Sequence, residues 1–251
     1  REKNSFQDTI LHCACINLPD TSEVVSLLLE KRPDSLKEKN NIGFTPLHSA
    51  IRKGVSSEVI SLLLDSWPDA MREPNSFRET PLMLACRKQA SVEVVSLLLD
   101  KWPQSLRMKD CDGCTPLHWA CAQSSPLEVI FLLLEKWPEA TMERNNNKET
   151  PIDQARKRSS PADIQFIISR VSSLFDNAVD GSSLKDVMKD FIKMMWWKGA
   201  TLVLDTQPAV VQNAGFNINV MPDFLSMIGR CCRVTTLMDV IRNNHALFAD
   251  T

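Results

Sequence analysis

A chain of 251 residues is long enough to bury roughly 70–75% of its unfolded surface, so size alone calls for neither a disulfide framework nor a structural metal. Apolar residues at 43% and charged residues at 24% exclude wholesale disorder. The 29 basic and 31 acidic residues leave a net charge of −2, without the basic excess that nucleic acid or an anionic membrane attracts, and apolar runs such as residues 129–134 fall far short of the roughly 18 residues a bilayer span needs.

In chain order, the first feature is Thr9-Ile10-Leu11-His12. Thr45-Pro46-Leu47-His48 follows 36 residues later, and Thr80-Pro81-Leu82-Met83, Thr115-Pro116-Leu117-His118 and Thr150-Pro151-Ile152-Asp153 then step by 35. A leucine marker keeps the same step at residues 27–29, 62–64, 97–99 and 132–134, then weakens to Ile167-Ile168-Ser169. Continued, it reaches Leu202-Val203-Leu204-Asp205-Thr206-Gln207-Pro208 and then Leu237-Met238-Asp239-Val240-Ile241, preceded by Met221-Pro222-Asp223-Phe224. Periods of this size signal stacked repeats, and the pattern predicts seven, the last two degenerate.

Each repeat reads as helix, turn, helix. The threonine hydroxyl caps a first helix of about ten residues, and proline suits its first position, whose N–H lacks a partner in any case. After a Ser-rich break, Glu23, Glu58, Glu93 and Glu128 place a carboxylate in the first turn of a second helix. Its Val/Ile/Leu stripe is too wide for one hairpin to cover, so neighbours must stack on both sides. Pro33, Pro68, Pro103 and Pro138 stop that helix, and Asn/Asp-rich segments such as Asn40-Asn41 and Asn145-Asn146-Asn147 turn toward the next cap.

Taken together, Thr-Pro-Leu-His-x-Ala followed by Val-x-x-Leu-Leu resembles the ankyrin repeat, with Asp110-x-x-Gly113-x-Thr115-Pro116-Leu117-His118-x-Ala120 the fullest match. The resemblance covers residues 4–171 and is weak over 172–251. It implies an all-α, ankyrin-type solenoid: about five repeats over 1–171, and helical degenerate repeats forming a C-terminal cap over 172–251. Two departures stand out: the 35-residue period, and Trp-Pro-x-Ala or Trp-Pro-x-Ser in place of Gly-Ala-Asp after the second helix. The resemblance further implies that His12, His48 and His118 bond backbone between repeats. It places a variable binding face at Asn41, Ile42, Phe44, Ser76, Phe77, Glu79, Asp112, Trp119, Asn146 and Glu149.

The basic pairs Arg52-Lys53, Arg87-Lys88 and Lys157-Arg158 recur seven and eight residues after the threonine. Two readings stand: cations at solvated helix ends, or a basic stripe meeting an acidic protein partner. Trp67, Trp102 and Trp137 read as a packing ladder more readily than as a ligand platform.

Catalytic and cofactor chemistry has little support. The seven glycines are isolated, so no phosphate-cradling loop exists, and G-x-S-x-G and H-E-x-x-H are absent. Asp176, Asp180, Asp186 and Asp190 read as a solvated face among lysines. Cys111-x-x-Cys114 near His118 and Cys121 raises a zinc or redox alternative, with both thiols expected on an exposed turn. Against it, Cys15, Cys86 and Cys121 sit where small residues pack helices.

The sequence therefore predicts a non-catalytic protein-interaction scaffold or adaptor, without cofactor or metal, binding neither nucleic acid nor membrane. It predicts a monomer or part of a larger chain, trimmed or partial at Arg1, in the cytoplasm or nucleus with reduced thiols. The Met194-Met195-Trp196-Trp197 cluster is expected to pack on the fifth repeat.

Overall fold

A computed structural model describes residues 3–17, 22–175, 181–194 and 196–206. Among the described residues every regular element is helical. Five short first helices, α1 (Ile10–Asn17), α3 (Pro46–Lys53), α5 (Pro81–Arg87), α7 (Pro116–Ala122) and α9 (Pro151–Lys157), alternate with longer second helices. The latter are α2 (Ser22–Lys31), α4 (Ser57–Ser66), α6 (Val92–Lys101), α8 (Leu127–Lys136) and α10 (Ala162–Ser173). Two more follow, α11 (Gly181–Lys193) and α12 (Trp197–Thr206).

Helices of seven to ten residues are marginal in isolation. Stacking holds them: α1 packs on α3, α3 on α5, α5 on α7 and α7 on α9, while α2, α4, α6 and α8 form the second layer in the same order. Between the layers, Val59, Ile60, Leu63 and Leu64 of α4 are buried, as are their counterparts in α6 and α8. Each such side chain contributes about 1.5–3 kcal/mol. The first helices are shorter than the expected ten residues because a left-handed residue ends them: Gly54 (φ 77°), then Gln89, Ser124 and Ser159 (each φ 54°).

The proline after α2, α4, α6 and α8 does more than stop the helix. It opens a five-residue 3₁₀ turn, at Pro33–Lys37, Pro68–Arg72, Pro103–Arg107 and Pro138–Met142. Proline suits that start for the reason it suits a helix start. These turns bury Leu36, Ala70 with Met71, Ser105 with Leu106, and Ala140 with Thr141. The Trp-Pro departure is thus a folded element rather than part of a polar linker.

Contacts divide the chain into two compact units, residues 1–168 and 169–251, the division falling inside α10. In the second, α11 packs on α12 around Val187, Met188, Phe191, Val203 and Leu204, Trp196 meets Phe191 edge-on at 4.8 Å, and Arg170 pairs with Asp190 at 3.0 Å. α12 lies four 35-residue steps after α4, whereas α11 begins at Gly181, five residues before the period would place it. The expected seventh repeat lies outside the described residues, as do Gln207-Pro208, His245, Asp176, Asp180 and Met195.

Candidate functional site: fingers and helix ends

The Asn/Asp-rich segments fold as five copies of one finger. In each, a leading side-chain oxygen accepts from the backbone N–H groups two and four residues on: Asn4 from Phe6 and Asp8, Asn40 from Ile42 and Phe44, Asn75 from Phe77 and Glu79, Asp110 from Asp112 and Cys114, Asn145 from Asn147 and Glu149, all at 2.8–3.1 Å. Asparagine and aspartate are the residues whose side chains stand in for a backbone turn. The fourth position is left-handed throughout: Gln7, Gly43, Arg78, Gly113 and Lys148 have φ of 59–75°. Adjacent fingers are laced by backbone bonds, Asn41 N to Phe6 O, Ser76 N to Ile42 O, Cys111 N to Phe77 O and Asn146 N to Asp112 O, at 2.9–3.1 Å.

Histidines of α1 and α7 tie those helices to the base of the following finger. The Thr45 N–H donates to His48 Nδ1 at 3.3 Å, with the same geometry at Thr9–His12 and Thr115–His118. Nδ1 is therefore an acceptor and the proton resides on Nε2. From there His12 donates to the Phe44 carbonyl at 2.8 Å and His118 to the Glu149 carbonyl at 3.1 Å. His48 faces the Glu79 carbonyl without closing a bond of ordinary geometry. Burial pushes all three rings below the usual imidazole range, His48 to about 3.

The ends of the first helices bear on the finger bases. Arg52 lies over the Phe44 ring at 5.2 Å. Arg87 pairs with the buried Glu79 (Nε to Oε1, 2.6 Å; Nη2 to Oε2, 3.0 Å), and Asn75 Nδ2 donates to Glu79 Oε2 at 2.7 Å. The Arg87 guanidinium also covers Trp119 at 5.6 Å, whose Nε1 donates to Asp110 Oδ2 at 2.7 Å. Lys157 pairs with Glu149 at 2.7 Å. The first member of each basic pair thus engages its own finger, while Lys53, Lys88 and Arg158 are exposed and have no carboxylate partner among the described residues.

A family model described as ankyrin repeats (3 copies) matches residues 1–73 and 58–146, more than half of the chain. The chain belongs to the ankyrin-repeat family. No curated protein matches it. Ankyrin repeats generally mediate protein–protein interaction, and the family is typically non-enzymatic.

Within this ankyrin stack the expected face divides. Asn41, Ile42, Ser76, Phe77, Asp112 and Asn146 are exposed on the fingers. Phe44 and Glu79 are instead buried, at 2% and 3% exposure, because they lie in the finger base beneath Arg52 and Arg87. Trp119 and Glu149 are half-buried. Ser49 and Leu84, at the repeat position of Trp119, are fully buried. The sequence reading missed Phe6, which caps the first finger at 68% exposure; Asn4, 36 residues before Asn40, was the available signal.

The cysteine expectation needs a correction. Of the two, only Cys111 is exposed; Cys114 is buried at 3%, its sulfur accepting from Asn145 Nδ2 and Gln154 Nε2, each at 3.7 Å. Desolvation, with the carboxylate of Asp110, pushes the Cys114 thiol up to about 11, and desolvation with Asp112 and Asp110 raises Cys111, so both resist forming the thiolate that metal binding needs. Among the described residues no group of three or more His, Cys, Asp or Glu is arranged to hold a metal ion, and no helix is long and apolar enough to cross a membrane.

Proposed function

We propose that this chain is a non-catalytic interaction module, a scaffold or adaptor that receives an acidic protein surface across its fingers and first-helix ends. The observation that carries this reading is the division of the basic pairs. Carboxylates close to the stripe, Glu79 and Glu149, are already held by Arg87 and Lys157, and Asp110 by the Trp119 indole. That leaves Lys53, Lys88 and Arg158 as exposed cations at one repeat position, where charges steer encounter and fix register. Exposed Asn41, Ile42, Ser76, Phe77, Asp112 and Asn146 complete the contact set, with Arg52, Trp119 and Glu149 at its base. Six free cysteines among the described residues support a reducing compartment, the cytoplasm or nucleus.

Charge reversal at Lys53, Lys88 and Arg158 tests it. Surface changes of this kind alter stability by no more than about 0.5 kcal/mol each, so the triple variant is expected to keep its melting temperature while losing a partner captured by the wild type. Undiminished capture overturns the reading.

A further inference from the structure

We infer that the partner segment on the first three fingers is an acidic amphipathic α-helix carrying apolar residues every seven positions, an inference that rests on the interaction-module reading. Three observations lead there.

Phe6, Ile42 and Phe77 occupy the same place in successive fingers and are exposed at 68%, 36% and 51%, whereas the fourth and fifth fingers carry Asp112 and Asn147 there. A contiguous exposed apolar row with a polar edge marks an interaction surface. The row is also pre-organised, because the carbonyls of these same three residues accept the bonds that lace one finger to the next. Ordering cost on binding is correspondingly small.

The second observation is spacing. Stacked helices lie about 8–10 Å apart, and each finger runs directly into its own first helix, the second and third being held to it by Arg52–Phe44 and Arg87–Glu79, so the three side chains recur at about that interval. Seven residues of α-helix advance about 10.5 Å. Same-face residues of an extended strand recur at about 6.8 Å and drift out of register within two fingers. Helical heptad spacing therefore matches the row and strand spacing does not.

The third is charge. Lys53 and Lys88 stand on helix ends that Arg52–Phe44 and Arg87–Glu79 tie to the second and third finger bases, and exposed Arg78 adjoins Phe77. A helix with carboxylates flanking its apolar stripe complements this border.

The test uses the full chain and synthetic 22-residue peptides followed by fluorescence anisotropy. One peptide carries leucine at three positions seven apart with glutamate flanks; a second replaces glutamate by lysine; a third keeps the leucines and glutamates of the first but is broken by two central prolines. The first peptide is expected to bind, with the lysine and proline versions at least about tenfold weaker. Phe77→Asp and Lys88→Glu are each expected to weaken the first by about tenfold with unchanged circular dichroism. Equal binding of the proline peptide overturns the helix assignment, and equal binding of the lysine peptide overturns the charge assignment. If no peptide binds while capture still depends on Lys53, Lys88 and Arg158, the inference fails and the interaction module stands; if that capture fails as well, both fall.

Discussion

At the scale of single residues, the repeat sets different demands on positions that look alike in sequence. Gly113 and Gly54 both adopt left-handed backbone, with φ of 75° and 77°. A Cβ at Gly54 would meet open space, whereas at Gly113 it would lie 2.5 Å from Asn146 Oδ1 and 2.9 Å from Asn146 N, on the next finger. Gly54→Ala should therefore cost only the left-handed penalty of about 1 kcal/mol, and Gly113→Ala clearly more, read as a difference in urea midpoint. His48 provides a pH signature. Burial lowers its pKa from 6.5 to about 3, so the folded chain keeps the ring neutral while the unfolded chain protonates it below 6.5. Between those values the unfolded state binds more protons, and stability must fall with falling pH by about 1.4 kcal/mol per unit for this one group, while above 6.5 its contribution is complete. His48→Met, the residue α5 already carries as Met83, should flatten the measured slope by that amount.

At the scale of elements, the second helix and its 3₁₀ turn meet at a tryptophan whose surroundings differ from copy to copy. Trp137 is 6% exposed beneath the Arg107 guanidinium at 4.8 Å, while Trp67 is only half-buried. Trp137→Ala is expected to cost about 3–5 kcal/mol and Trp67→Ala markedly less; a ligand platform would instead leave both melts nearly unchanged. Helix starts were legible in sequence because capping is local: Thr, Pro and His lie within four residues of one another. The 3₁₀ turns were not, since Pro68-Asp69-Ala70-Met71 looks like a helix stop until Ala70 and Met71 find their buried contacts. The stripe of basic pairs was visible, but which member is engaged by its own finger depends on Phe44, Glu79 and Glu149 eight residues upstream, so spacing along the chain left the two readings equal. The burial of Cys114 had the same origin, being set by Asn145 and Gln154 of the following repeat.

At the scale of the whole molecule, the decisive property of residues 1–168 is that each interface repeats the one before it. α3 meets α5 as α5 meets α7, and the finger bond from Ser76 N to Ile42 O is reproduced by Cys111 N to Phe77 O. Ion pairs keep the same step, with Lys39–Glu73 and Lys109–Glu143 both at 2.8 Å. Stability in such a stack is approximately a sum of repeat and nearest-neighbour terms, so one interior repeat should be removable without loss of fold. Deleting residues 76–110 joins Asn75 to Cys111, which holds the position Ser76 held, and brings α3 against α7 in place of α5. The laced fingers then run from Ile42 directly to Cys111, and His48 faces the Cys114 carbonyl where it had faced that of Glu79. The shortened chain is expected to unfold in one cooperative transition with unchanged helicity per residue, a lower midpoint, and an m-value reduced in proportion to the lost buried surface. A molten or unfolded product would show that the repeats are not interchangeable and that stability is concentrated in particular interfaces, with the Glu79–Arg87–Trp119 network, which this deletion removes, the first to examine.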